Sequence, residues 1–185
     1  MIVDYIRMLG ADRIEHPGGT LLAHLSRVEA LLDTWGARPE LRTAGLCHAL
    51  YGTDGFARAL LPLDRRAELA GRIGVEAERI VYFYAGCDRA ASHPTLVDGP
   101  FRDRFTGRTY RPTEAERRDF AELTAANELD ILRIDPQARA RWGADLHGLL
   151  TGFRPLLSAA AWAECERLAG DVDVEVEVDA AVAKR

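Results

Sequence analysis

Residues 16–54, HPGGTLLAHLSRVEALLDTWGARPELRTAGLCHALYGTD, place histidines inside patterns that otherwise spell buried helix. Leu21, Leu22, Leu25, Val28, Leu31 and Leu32 recur at helical spacing, and His24 lies on or beside that apolar stripe. Leu41, Ala44, Gly45 and Cys47 surround His48 in the same way. With His16, this stretch holds three of the five histidines. Two histidines on core-facing helices can converge as metal ligands or as acid–base groups. The alternative is a pair of hydrogen-bonded core histidines.

Helical spacing and end signals predict an all-α chain of about seven helices in one domain, residues 1–170. The predicted segments are 3–9, 20–35, 39–50, a short 56–60, 63–73 and 76–85. Later ones run from a capping box at Thr113 and Glu116 to about 133, over 136–153 and over 155–168. Residues 86–112 read as irregular, with FRDRFTGRTYRP as a small hairpin turning at Thr106-Gly107. Because a lone hairpin is unstable in water, this one must pack on the helices, and its place between the helix ending near Ala85 and the helix carrying Asn127 and Asp130 makes it a candidate lid over the histidine pocket. The tail, 171–185, alternates valine with acid and reads as a frayed or edge-pairing strand.

At 185 residues the chain can bury a real core. No apolar run is long enough to cross a bilayer, and the N-terminus lacks a signal-peptide layout, so cytoplasmic location is the expectation. Cys47, Cys87 and Cys165 are too scattered for a disulfide framework. Cys47 reads as a small buried group, whereas Cys87 and Asp88 precede a loop that can face a pocket. Net charge is −5, and the only basic cluster, Arg102, Arg104, Arg108 and Arg111, is too small for duplex nucleic acid but sufficient for one anion. His93 and His147 read as structural or surface residues. Trp35, Trp142 and Trp162 read as core or interface anchors.

Three stretches together resemble the HD-domain superfamily, all-helical metal-dependent phosphohydrolases, and within it the alarmone hydrolases and small HD-like bacterial proteins. GGTLLAHLSRV is similar to the family's first-histidine helix, with His24 as that histidine. AGLCHALYGTD is similar to the segment with the His-Asp doublet, and LTAANELDIL to the helix that supplies the final aspartate. The doublet here is His48-Ala49, and Asn127 stands at the final aspartate's position. Two carboxylate ligands are therefore missing from the family's set. The resemblance implies a rebuilt or weakened site of His24, His48 and Asp130, suited to iron, manganese or zinc.

Three readings stand at this level. One is an enzyme with a weakened metal centre performing hydrolase or oxygenase-type chemistry on a small, anionic molecule. Another is a metal-independent isomerase, lyase or cyclase using His24 and His48 as acid and base, near Tyr51, Asp54 and Asp130. The third is a noncatalytic binding module. His16, Thr53, Asn127, Arg102 and Arg104 are the candidate substrate-binding residues. A small molecule is the expected partner, with neither nucleic acid nor membrane.

Overall fold

The computed structural model describes residues 1–170 and shows an all-α domain with two small antiparallel hairpins. Its helices are α1 (Ile2–Met8), α2 (Leu21–Thr34), α3 (Pro39–Cys47), α4 (Arg66–Ile73), α5 (Val75–Ala85), α6 (Arg89–Ser92), α7 (Glu114–Ile134), α8 (Pro136–Phe153) and α9 (Ala159–Ala169). Strands β1 (Glu15–His16) and β2 (Gly19–Thr20) form one hairpin, and β3 (Phe101–Arg102) and β4 (Thr109–Tyr110) the other. The expected strand or frayed tail at 171–185 lies outside the described residues. No helix among the described residues is long and apolar enough to cross a membrane.

Most helix ends fall where their signals lie. The Thr20 side chain accepts from the Ala23 N–H and caps α2. Both reciprocal bonds of the Thr113–Glu116 capping box are present at α7. Pro39 and Pro136 open α3 and α8 in the first turn, where a missing N–H costs nothing. Ser158, rather than Pro155, caps the last helix.

Three local expectations are corrected. Helix α3 stops at Cys47, and the chain then tightens into i→i+3 turns through Leu50 and Gly52. No helix covers 56–60. Thr53 and Phe56 exchange backbone hydrogen bonds instead, and the N–H groups of Leu60 and Leu61 both donate to the Leu50 carbonyl. The β1–β2 hairpin was not anticipated, although Pro17-Gly18 is a turn signal.

The core lies where α2, α3, α5 and α7 meet. Leu25, Val28 and Leu32 of α2 pack with Leu46, Val81, Phe120, Ala125 and Leu129 in one buried cluster. Gly45 sits at the α2–α3 crossing. A Cβ there would come within 2.5 Å of Leu32 Cδ1, so its absence lets the two histidine-bearing segments approach closely. Helices α8 and α9 close the far side through Leu150, Phe153, Cys165 and Leu168. Trp35 and Trp162 pack partly against the core, whereas Trp142 is 48% exposed and lies outside it.

Candidate histidine-centred active site

Helices α2 and α7 face each other, and His24 of the first meets Asn127 and Asp130 of the second. Its Nδ1 lies 2.7 Å from Asp130 Oδ2 and its Nε2 lies 2.9 Å from Asn127 Oδ1. Asp130 is held from its other side by Arg27. That guanidinium donates from Nε to Oδ1 at 2.8 Å and from a terminal nitrogen to Oδ2 at 2.9 Å. Arg27 also reaches the Pro17 and Gly18 carbonyls, so one side chain ties the β1–β2 turn to α7. That turn places the His16 ring on His24, with centroids 4.1 Å apart. His48 meets His24 edge-on at 5.4 Å, and its Nδ1 donates to the Gly45 carbonyl at 2.7 Å.

The hydrogen bonds fix the protons. Glu128 Oε1 accepts from Asn127 Nδ2 at 3.1 Å and from Arg89 Nη1 at 3.2 Å. A carboxylate only accepts, so it holds the Asn127 amide with nitrogen toward Glu128 and oxygen toward His24. His24 Nε2 must then donate. Nδ1 must donate as well, because it faces the Asp130 carboxylate. In this arrangement His24 is an imidazolium, bracketed by acceptors. Arg89, Glu128, Asn127, His24, Asp130 and Arg27 thus form one continuous chain of hydrogen bonds.

The other two rings are neutral. Burial, and then the charge of His24, depress His48 to about 3 and His16 to about 4. Both are neutral at physiological pH. His48 keeps its proton on Nδ1, where Gly45 accepts it, and its Nε2 carries a lone pair. Burial alone raises a carboxyl, but the hydrogen bonds from His24 and Arg27 outweigh it at Asp130, whose pKa is lowered.

His16, His24, His48 and Asn127 line a cleft of about 160 Å³ together with Thr53, Phe56, Arg89, Glu128 and Ile131. A cavity of about that volume takes a molecule the size of benzene. The cleft is polar at the imidazoles and at Arg89, and apolar at Phe56, Leu21 and Ile131.

The structure brings His16, His24, His48, Thr53 and Asn127 to this cleft. Tyr51 is not there. Its hydroxyl donates to Glu78 Oε1 at 2.9 Å, in a buried cluster where Arg66 also pairs with Glu78. Asp54 is exposed and accepts the Arg89 backbone N–H at 2.9 Å, and it does not line the cleft. Arg102 and Arg104 stand elsewhere. Phe101 is buried and stacks on Phe83, Arg104 donates to the Ala85 carbonyl, and Arg102 faces Asp88 at 3.5 Å. The 101–111 hairpin is therefore a brace on the end of α5, and no residue of it lines the cleft. Cys87 is buried beside that brace, and Asp88 caps α6.

The expected metal set is also corrected. Asp130 lies behind His24, on the Nδ1 side, with both oxygens engaged. Ala49 has no ligand atom, and the Asn127 amide is bonded at both ends. Among the described residues no three or more His, Cys, Asp or Glu side chains are arranged to hold a metal ion. Of the expected ligands His24, His48 and Asp130, only His48 keeps a ligand atom free of hydrogen bonds, so this set does not fit a divalent cation.

Sequence reasoning missed Arg27, Arg89 and Glu128. Arg27 carried a signal, since it follows His24 by three positions and so shares its helix face. Arg89 and Glu128 carried none, because they meet only through tertiary packing.

The chain matches the family described as a domain of unknown function (DUF6817) over residues 5–89. That span holds the three histidines, Arg27 and Arg89, and leaves out the α7 residues they pair with. No curated protein and no solved structure matches.

Proposed function

We propose that this chain is a metal-independent acid–base enzyme acting on a small molecule, with His24 as the proton donor. The observation that carries the reading is the position of Asp130. Its carboxylate is spent on His24 Nδ1 and Arg27, which suits it to orient an imidazole rather than to bind a metal. The order of the HD-like stretches supports an HD-type scaffold in which Ala49 and Asn127 stand in place of the doublet's aspartate and the final aspartate.

Proton transfer follows from the geometry. The His24 Nε2–H is held by the neutral Asn127 oxygen, a weaker partner than a carboxylate. A substrate oxygen entering the cleft can take that proton, and Asp130 keeps the ring in its Nδ1–H form afterwards. His48 Nε2 is a poor base because its proton affinity is depressed, so its part is to accept a hydrogen bond from a substrate hydroxyl or enol. These groups suit acid-catalysed enolisation, isomerisation or elimination next to a carbonyl, in which His24 protonates the carbonyl oxygen, the carbon-bound proton leaves to water in the open cleft, and His24 regains its proton from solvent.

The test is hydrogen–deuterium exchange. Small ketones, hydroxyketones and oxo acids are incubated with the protein in heavy water and followed by proton NMR. Catalysed exchange beside a carbonyl, unchanged by EDTA and lost in His24→Gln, is expected. Exchange that needs added metal, or that survives His24→Gln, overturns the reading.

A further inference from the structure

Among the described residues, Arg89 is the one arginine or lysine that lines the cleft, and its placement is built rather than incidental. Its backbone N–H is fixed by Asp54. Its guanidinium lies against Gly55, where a Cβ would stand 3.0 Å from Nη1 and 3.3 Å from Cζ. The Thr53–Phe56 backbone exchange closes the loop that carries both. Among the described residues, the only acceptor of the Arg89 side chain is Glu128, through Nη1 at 3.2 Å. Nε and Nη2 have no acceptor among the described residues, although the fork of an arginine matches a carboxylate with two parallel N–H groups.

The open fork gives the ligand's class, since two N–H groups side by side match the two oxygens of one carboxylate. The cleft's volume of about 160 Å³ limits the ligand to roughly the size of a single ring.

We propose that Arg89 anchors a carboxylate subsite and that the cleft takes a small, planar monocarboxylate with its far end against the imidazoles. The subsite rests on reading the cleft as the substrate site. Glu128 is a positioning residue. It holds Arg89 and the Asn127 amide through one oxygen, so a carboxylate that engages Arg89 acts on the same chain that ends at His24.

The experiment uses the full chain and measured binding of benzoate, pyruvate and acetate, with benzamide, acetamide and inorganic phosphate as comparators, by calorimetry and ligand-observed NMR. Benzoate or pyruvate should bind at least tenfold more tightly than the amides and than phosphate. Arg89→Ala should abolish that preference and Arg89→Lys should retain part of it. Should Arg89→Ala fail to fold, Gly55→Ala, whose Cβ presses on the guanidinium, must weaken carboxylate binding. Equal binding of carboxylates and amides, tighter binding of phosphate, or carboxylate affinity indifferent to both Arg89→Ala and Gly55→Ala overturns the proposal. Neutral ketones report the acid–base chemistry without this subsite, so the two readings can fail separately.

Discussion

His24 and Asp130 form a buried pair, 1% and 3% exposed, in which Nδ1 meets the carboxylate at 2.7 Å. The pair joins α2 to α7 across 106 positions of sequence. Asp130→Ala removes the shared acceptor of His24 and Arg27 and leaves two donors facing each other. Denaturant unfolding should show a loss of about 2–4 kcal/mol, as for breaking a buried ion pair. A double-mutant cycle with Arg27→Ala should give a coupling of about 1–3 kcal/mol. Additive effects would show that Arg27 and Asp130 are not partners.

Gly18 sets the hairpin that seats His16. Its φ is +77°, and a Cβ there would lie 2.2 Å from Ile134 Cδ1. Gly18→Val should cost about 1–3 kcal/mol through backbone strain and that clash. It should also move the His16 ring resonances, because the 4.1 Å stacking on His24 depends on the turn. Unchanged stability with unshifted His16 signals would contradict the placement of the turn.

Acid should destabilise the fold well above the range where carboxylates protonate. His48 and His16 are held neutral at about 3 and about 4, whereas an unfolded imidazole protonates near its ordinary value of 6.5. Below that value the unfolded chain binds more protons than the native one, so stability falls as pH drops. For His48 the loss reaches on the order of 3 kcal/mol by about pH 4. Asp130, whose carboxyl is depressed, adds its own loss only below its unfolded value near 4. Unfolding free energies measured from about pH 7 to pH 4 should decline smoothly, and less steeply in His48→Phe. A flat profile over that window would rule the linkage out.

The 101–111 hairpin should behave as a brace. Arg104→Glu removes a bond to the Ala85 carbonyl and should cost about 1 kcal/mol of stability. It should leave benzoate affinity unchanged. Weaker binding at undiminished stability would restore the lid.

The helices were legible because they rest on local periodicity, and the convergence of His24 with His48 was legible only with the order of the HD-like stretches added to it. The capping box at Thr113 and the prolines at α3 and α8 were legible as local signals too. What was not legible depends on side-chain direction. Asp130 was visible as a carboxylate one turn beyond Asn127, but not that it approaches His24 from behind. Tyr51 follows His48 closely in sequence, yet the tightened turns after Cys47 send its hydroxyl to Glu78. The arginines of 101–111 looked like an anion site because charge is easy to see in a sequence. The arginine that reaches the cleft, Arg89, is held there by Asp54 and Gly55, a relationship no spacing rule contains.

The central claim is that one imidazole among three holds the proton for catalysis, and long-range proton–nitrogen NMR of the histidine rings tests it most directly. His24 should show two protonated nitrogens, one facing Asp130 and one facing Asn127. His48 should be neutral with its proton on Nδ1, and His16 should be neutral. Glu128→Gln, which frees the Asn127 amide to turn, should shift the His24 nitrogens while leaving the His48 tautomer in place. Added zinc or manganese should change none of these signals. A neutral His24 beside a charged His16 or His48, or a zinc-dependent change at His24 and His48 together, would contradict the account.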